Sequence, residues 1–208
     1  MTPDDRLAAT RSGARFAGVV LCGGRSSRMG RAKAWLPFGD ELLLQRVVRI
    51  VGEVVSPVVV VAAPGQDVPP LPADVQIVRD GVEGRGPLQG LAAGLAALVG
   101  RADAAYLSAC DAPLLTAAFV RRVVSSGCTA VPRVGGFLHP LAAAYRLSVL
   151  PQVRELLAAN MFRLQALLDR VPTRFLDASE LPDLQSLHNL NTPEEYAAAY
   201  NSLSSIDD

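Results

Sequence analysis

The sequence predicts a single-domain α/β protein with three layers, in which a mostly parallel sheet carries helices on both faces. Three observations predict it. Apolar segments of strand length alternate with segments whose apolar residues recur at helical spacing. The strands read as unbroken aliphatic runs, such as Val58–Ala63, as expected where both sheet faces are buried. The 208 residues, 50% of them hydrophobic, suffice for one substantial core and at most a small appendage.

The elements follow in order. Residues 1–15 read as a frayed tail. Phe16–Cys22 is the first strand, and the glycine-rich basic loop Gly23–Lys33 follows it. Asp40 is expected to cap a helix with Leu43, Val47, Ile50, Val51 and Val54 on one face. Pro57 opens the second strand, Val58–Ala63, and a Pro/Gly-rich loop leads to a short strand, Val75–Val78. That strand ends at Arg79-Asp80. A second glycine-rich loop, Gly81–Gly90, feeds a helix with Leu88, Leu91, Leu95 and Leu98 at helical spacing. Gly90 and Gly94 let that helix sit close to a neighbour, at some cost in helix propensity. A fourth strand, Ala104–Ala109, ends at Cys110-Asp111. Thr116 caps the next helix, with Phe119, Val120, Val123 and Val124 inward.

The fifth strand is Cys128–Val134, where Pro132 signals an edge or an irregularity. Beyond Gly135-Gly136 the pattern loosens. It gives a strand near Leu141–Tyr145, helices near Val149–Asn160 and Arg163–Asp169, and a strand near Thr173–Leu176. The segment Asn191–Glu195 is a helix start: Thr192 at N-cap, Pro193 at N1 and Glu195 completing a capping box. This helix is expected to run to about Tyr200. The domain then spans residues 16–200, with 201–208 as a disordered tail.

Composition excludes several function classes. Twenty basic residues balance twenty acidic ones, which argues against a dedicated nucleic-acid binder. Cys22, Cys110 and Cys128 lack metal-ligand spacing, and only His139 and His188 could assist them, so no zinc site is expected. Reduced cysteines suit a cytoplasmic setting. The N-terminus has no apolar signal core. The longest apolar stretch, Val54–Ala63, is broken at Ser56-Pro57 and is too short to span a bilayer. No membrane partner is expected.

The chemistry concentrates in GGRSSRMGRAK, Gly23–Lys33. Glycines at 23, 24 and 30 let the backbone turn tightly and aim successive N–H groups at an anion. Arg25, Arg28, Arg31 and Lys33 add charges suited to phosphate oxygens. A P-loop is excluded, because Gly30 is followed by Arg31 and no Lys-Ser or Lys-Thr pair occurs. The dinucleotide fingerprint fails too, because the first two glycines are adjacent. A strand ending in this loop is placed to hold a polyphosphate at the carboxyl edge of an open sheet. Asp80, Gly86-Pro87-Leu88 and Asp111 fall at the same edge. A carboxylate at Asp111 can ligate Mg²⁺ together with phosphates. A turn or cap role is the alternative for Asp111. For Asp80, spacing alone favours that structural role.

LCGGRSSRMGRAK, with Leu36–Gly39 and Leu42–Leu44 after it, resembles the signature of nucleotidyltransferases that act on the molybdenum cofactor. Matching segments follow in order: Arg79-Asp80, GPLQGL at Gly86–Leu91, CDAPLL at Cys110–Leu115, LHPL at Leu138–Leu141 and NLNTPEEY at Asn189–Tyr196. The likeness covers roughly residues 16–200 and is closest to the guanylyltransferase (MobA) branch. It implies a Rossmann-like nucleotidyltransferase fold and transfer of GMP from GTP to the terminal phosphate of molybdopterin, with release of pyrophosphate. It implies Mg²⁺ as cofactor, held by Asp111, and Arg28, Lys33 and Asp111 as catalytic residues. Leu21, Cys22, Gly23, Gly24, Lys33, Asp80, Gly86, Pro87, Leu88 and Asp111 would bind the nucleotide. His139, Asn189 and Asn191 would face molybdopterin. Molybdoenzymes or cofactor-delivery proteins are the further partners it suggests.

Three positions depart from the family pattern: Ala32 replaces an acidic residue, Cys22 replaces the usual Ala, and Val61-Ala62-Ala63 lacks an Asn after the second strand. A cytidylyltransferase for the same cofactor and a sugar-phosphate nucleotidyltransferase are the enzyme alternatives. A nucleotide-binding adaptor is the non-enzymatic one.

Overall fold

The computed structural model describes residues 14–23, 32–81 and 85–204. The chain enters through β1 (Phe16–Leu21), which becomes the centre of the sheet. β2 (Pro37–Phe38) and β3 (Glu41–Leu42) form a separate antiparallel hairpin. Helix α1 (Leu43–Gly52) returns the chain to β4 (Val58–Ala62) and then β5 (Gln76–Arg79). Helix α2 (Gly86–Ala97) precedes β6 (Ala104–Ala109), and α3 (Ala117–Val124) precedes β7 (Ala130–Val134). β8 (Phe137–Leu138) and β9 (Ala143–Arg146) follow, then α4 (Leu150–Ala158), α5 (Leu164–Leu168), β10 (Arg174–Asp177) and α6 (Pro193–Ser204).

The main sheet has eight strands, in the order β10-β7-β9-β6-β1-β4-β5, with β8 beside β7. β5, β4, β1 and β6 run parallel to one another. β10 is parallel to β7, whereas β9 runs antiparallel to both β6 and β7. The sheet is therefore mixed but mostly parallel, as the aliphatic runs predicted. The chain builds outward from β1 through β4 to β5, then crosses back to lay β6 on the other side of β1. That reversal is a topological switch, and open α/β sheets bind ligands in the crevice outside the carboxyl ends of the strands there.

Strand alternation feeds two cores. Val19, Leu21, Val59, Val61 and Leu107 face one layer, covered by Leu88, Leu91 and Leu95 of α2 and by α4 and α5. Val20, Val58, Val60 and Tyr106 face the other, covered by Val47 and Val51 of α1 and Phe119 and Val123 of α3. Gly94 explains how closely α2 rides on β1. A Cβ there would lie 2.5 Å from Val19 Cγ1, so only glycine admits the approach. A third cluster joins Phe38 and Leu43 to Leu190 and Ala199, docking α6 on the hairpin, where Tyr196 Oη also donates to Pro37 O.

Several expectations are corrected. Asp40 does not cap α1. It lies in the hairpin turn after Gly39 (φ +64°), two strand residues intervene, and the Gln45 side chain instead accepts from the Leu42 N–H at 3.1 Å. Gly86 already belongs to α2, so the second glycine-rich loop is shorter than its composition suggests. β7 is not an edge strand. Pro132 sits where β7 gives up its single pairing to β9 at Ala130 and takes up β8 at Arg133, an irregularity that tolerates the missing N–H. α6 continues to Ser204, past Tyr200. The Thr116 cap is present: its Oγ1 accepts from Phe119 N–H at 3.2 Å. Among the described residues, no helix is long and apolar enough to cross a membrane.

Candidate functional site

The carboxyl ends of β1, β4, β5 and β6 open on a cleft of about 570 Å³. Leu21, Cys22 and Gly23 form its floor after β1. Asp80 lines it after β5, Gly86 and Pro87 line it from the first turn of α2, and Cys110 and Asp111 line it after β6. Asn189 and Asn191 reach it from the segment before α6. These are sequence-predicted site residues, brought together from five separate segments.

Lys33 begins a short 3₁₀ turn, Lys33–Trp35. Its Nζ donates to Asp111 Oδ2 at 2.6 Å and to Asn191 Oδ1 at 3.0 Å. Both members of the ion pair are largely withdrawn from solvent, with side chains 17% and 16% exposed. The turn carrying Asp111 is held from two sides. Leu190 N–H donates to the Asp111 carbonyl at 2.8 Å, and Arg46 Nε of α1 donates to Pro113 O at 2.7 Å. Asn191 is fixed in turn by the capping box of α6. Glu195 Oε2 accepts from the N–H groups of Asn191 (2.6 Å) and Thr192 (3.2 Å), and Thr192 Oγ1 accepts from Glu195 N–H at 3.2 Å.

Asp111 Oδ1 is buried and has no hydrogen-bond partner among the described residues. Asp111 lines the cleft, and an unpartnered carboxylate oxygen beside it is a candidate ligand for a hard cation. Among the described residues no group of three His, Cys, Asp or Glu side chains could hold a metal. A cation here would therefore draw its other ligands from phosphate oxygens and water, the usual habit of Mg²⁺.

Sequence reading missed Gln66, a residue of the Pro/Gly-rich loop with no motif around it. Its Oε1 accepts from Ala63 N–H at 2.9 Å, and its Nε2 donates to Cys22 O at 2.9 Å and Cys22 Sγ at 3.3 Å. Arg79 secures the same loop by donating to Ala63 O and Gln66 O. The Gln66 amide thus ties the end of β1 to the end of β4, just past Val61-Ala62-Ala63.

Cys22 and Cys110 are both buried, side by side at the ends of β1 and β6. The Cys110 thiol holds Cys22 below the usual cysteine range, against the opposing effect of burial. The Cys22 thiol, and then burial, push Cys110 well up.

Two expected residues sit elsewhere. Leu88 is fully buried in the core beneath α2, and its N–H donates to Phe162 O. His139 is not among the cleft-lining residues; its N–H donates to Pro132 O at 2.9 Å, and partial burial lowers its pKa. Gly24 and Arg28, with Arg25, Gly30 and Arg31, lie outside the described residues.

Comparison with known proteins agrees with this architecture. Residues 18–174 match the MobA-like NTP transferase domain. A probable molybdenum cofactor guanylyltransferase of Mycobacterium tuberculosis H37Rv is 38% identical over 188 residues, covering 86% of this chain and 92% of that protein. Among solved structures, the molybdopterin-guanine dinucleotide biosynthesis protein A of Archaeoglobus fulgidus superposes with a TM-score of 0.73 at 19% identity, over 91% of this chain and 99% of that one. A Mycobacterium tuberculosis protein crystallised in complex with manganese superposes with a TM-score of 0.65 at 19% identity, over 90% and 99% of the two chains. At those identities the superpositions speak for the fold. The domain match across most of the chain, and a relative well above 30% identity over nearly its full length, make this protein a member of the MobA-like NTP transferase family.

Proposed function

We propose that the chain is a molybdenum cofactor guanylyltransferase that moves GMP from GTP to the terminal phosphate of molybdopterin and releases pyrophosphate. The single observation that carries the reading is the Lys33–Asp111 pair, 2.6 Å apart at the topological switch of the sheet. One cation for phosphates and one half-free carboxylate for a metal suit a reaction between two anions. The relatives at 38% identity, probable molybdenum cofactor guanylyltransferases, support the guanylyl specificity.

The terminal phosphate oxygen of molybdopterin attacks the α-phosphorus of GTP, the α–β anhydride bond breaks, and pyrophosphate departs with the electron pair. Positioning and charge neutralisation set the barrier for such transfers. Lys33 turns its Nζ donors towards the triphosphate, while Asn191 keeps one of them oriented. Gly23 presents backbone to the phosphates, joined in this reading by Gly24 and Arg28. No general base is required, because the attacking phosphate is already ionised near neutral pH. Asp111 would hold Mg²⁺ through its oxygens, and the bound ion supplies charge neutralisation at the phosphates. The manganese complex of a structural neighbour is in keeping with a divalent ion. Asp80, Gly86 and Pro87 flank the base end in this reading, and Asn189 the pterin end.

The experiment is a comparison of GTP, CTP and ATP turnover with molybdopterin, reading pyrophosphate release with and without Mg²⁺. GTP preferred at least tenfold supports the reading. CTP preference replaces it with the cytidylyltransferase, and nucleotide binding without turnover replaces it with the adaptor.

A further inference from the structure

We propose that Cys22 and Cys110 form a reversible disulfide that disables the nucleotide cleft when a peroxide reaches it. The pair follows from strand register. β1 and β6 run parallel with Leu21 opposite Ala109, and Cys110 N–H continues the ladder by donating to Leu21 O at 2.9 Å. One residue on, Cys22 stands opposite Cys110. Neighbouring strands lie about 4.8 Å apart, inside the roughly 4.4–6.8 Å Cα separation that a disulfide needs. Both side chains belong to the same core layer, so they point to one face of the sheet. They are 5% and 6% exposed, and both residues line the cleft, which gives a small oxidant the shortest approach to the pair. Cys128, half-buried just before β7, is absent from the cleft lining and serves as an internal control.

The chemistry balances. Cys22 sulfur attacks one peroxide oxygen, the O–O bond breaks, and one water leaves a sulfenic acid behind. Cys110 sulfur then attacks the sulfenic sulfur, the S–S bond forms, and a second water leaves. Two thiols give up two electrons and two protons, and hydrogen peroxide takes both. An external dithiol reverses the step. Closing the two sulfurs to bonding distance (about 2.05 Å) turns both side chains and takes Cys22 Sγ from the Gln66 amide that now holds it at 3.3 Å. Gly23 and Asp111 are the next residues along the chain and both line the cleft, so losing the Gln66 tie on Cys22 and fixing the two sulfurs disturbs both walls of the phosphate site. The activity consequence rests on the guanylyl-transfer reading above, whereas the cross-link does not.

The test treats the full chain with hydrogen peroxide, alkylates remaining thiols, and maps peptides by mass. The expected result is a Cys22–Cys110 cross-linked peptide with Cys128 alkylated. GTP affinity by calorimetry and GTP turnover should each fall tenfold or more, and dithiothreitol should restore both. Cys128→Ser keeps this response. Cys22→Ala and Cys110→Ser lose it, each judged against its own untreated value. Alkylation of both Cys22 and Cys110 after peroxide, or separate higher oxides on them, overturns the proposal. So does a cross-link that leaves GTP affinity unchanged. If the untreated protein transfers no guanylyl group, the function reading fails alone, because the peptide map and GTP affinity still decide the thiol pair.

Discussion

Lys33 Nζ and Asp111 Oδ2 lie 2.6 Å apart although the residues are 78 positions apart in the chain. Each neutralises the other while the cleft is free of substrate, and each has a separate task once anions and a metal arrive. Replacing Lys33 with Ala removes the cation proposed to bind the phosphates and leaves Asp111 without its ion-pair partner. Turnover should fall about 100-fold or more, equivalent to about 2.7 kcal/mol. The melting temperature should move by only a few degrees, because both groups sit at a cleft edge. Unchanged turnover in this variant would remove Lys33 from the reaction.

Asp111→Asn keeps the shape of the turn but lowers the charge that holds a cation. Its dependence on Mg²⁺ should shift to at least tenfold higher concentration, read by titrating the metal against pyrophosphate release. A wild-type titration curve would show that the orphaned Oδ1 is not the ligand.

Asn191 shares Lys33 with Asp111 through a 3.0 Å bond. Asn191→Ala should cost about 0.5–1.5 kcal/mol, the range for one net hydrogen bond, and so lower turnover roughly two- to twelvefold. Steady-state kinetics with GTP check it, and a change in pterin affinity alone would reassign the residue to the second substrate.

Gln66→Ala cuts the link between Cys22 O and Ala63 N–H. The expected stability loss is about 1–2 kcal/mol, or roughly 2–8 °C in melting temperature for a chain of this size. The KM for GTP should rise more than kcat falls, because the tie shapes the floor of the cleft rather than the phosphate ligands.

His139 supplies a pH dependence. Burial lowers its pKa from 6.5, so the folded protein favours the neutral ring. The unfolded chain takes up a proton first as pH falls through about 6.5, and stability is lost below that value. His139→Gln should flatten the decline in melting temperature on the acid side of pH 6.5. An equally steep decline would assign it to the paired carboxylates, such as Glu41 beside Arg49, whose stabilisation also disappears in acid.

The sheet was legible in the sequence because its strands are continuous aliphatic runs. Ala104–Ala109 was found residue for residue. The two-residue strands β2, β3 and β8 were not, since two residues carry no period, and the missed hairpin is why Asp40 was misread as a cap. Within the site, Gly23, Lys33, Asp80 and Asp111 were visible as glycine or charge beside a strand end. The hold of Asn191 on Lys33 was invisible, because it joins residues 158 positions apart and leaves no local trace. Gln66 was equally hidden, as an ordinary polar residue whose role arises only when two strand ends meet.

The Leu190 N–H bond to the Asp111 carbonyl makes the segment before α6 part of the cleft wall. A ribosome that has translated only as far as β10 would carry every strand of the sheet and still lack a working pocket. Competence arrives with the final stretch of synthesis, so partial products left by early termination should fold around their core yet stay chemically silent.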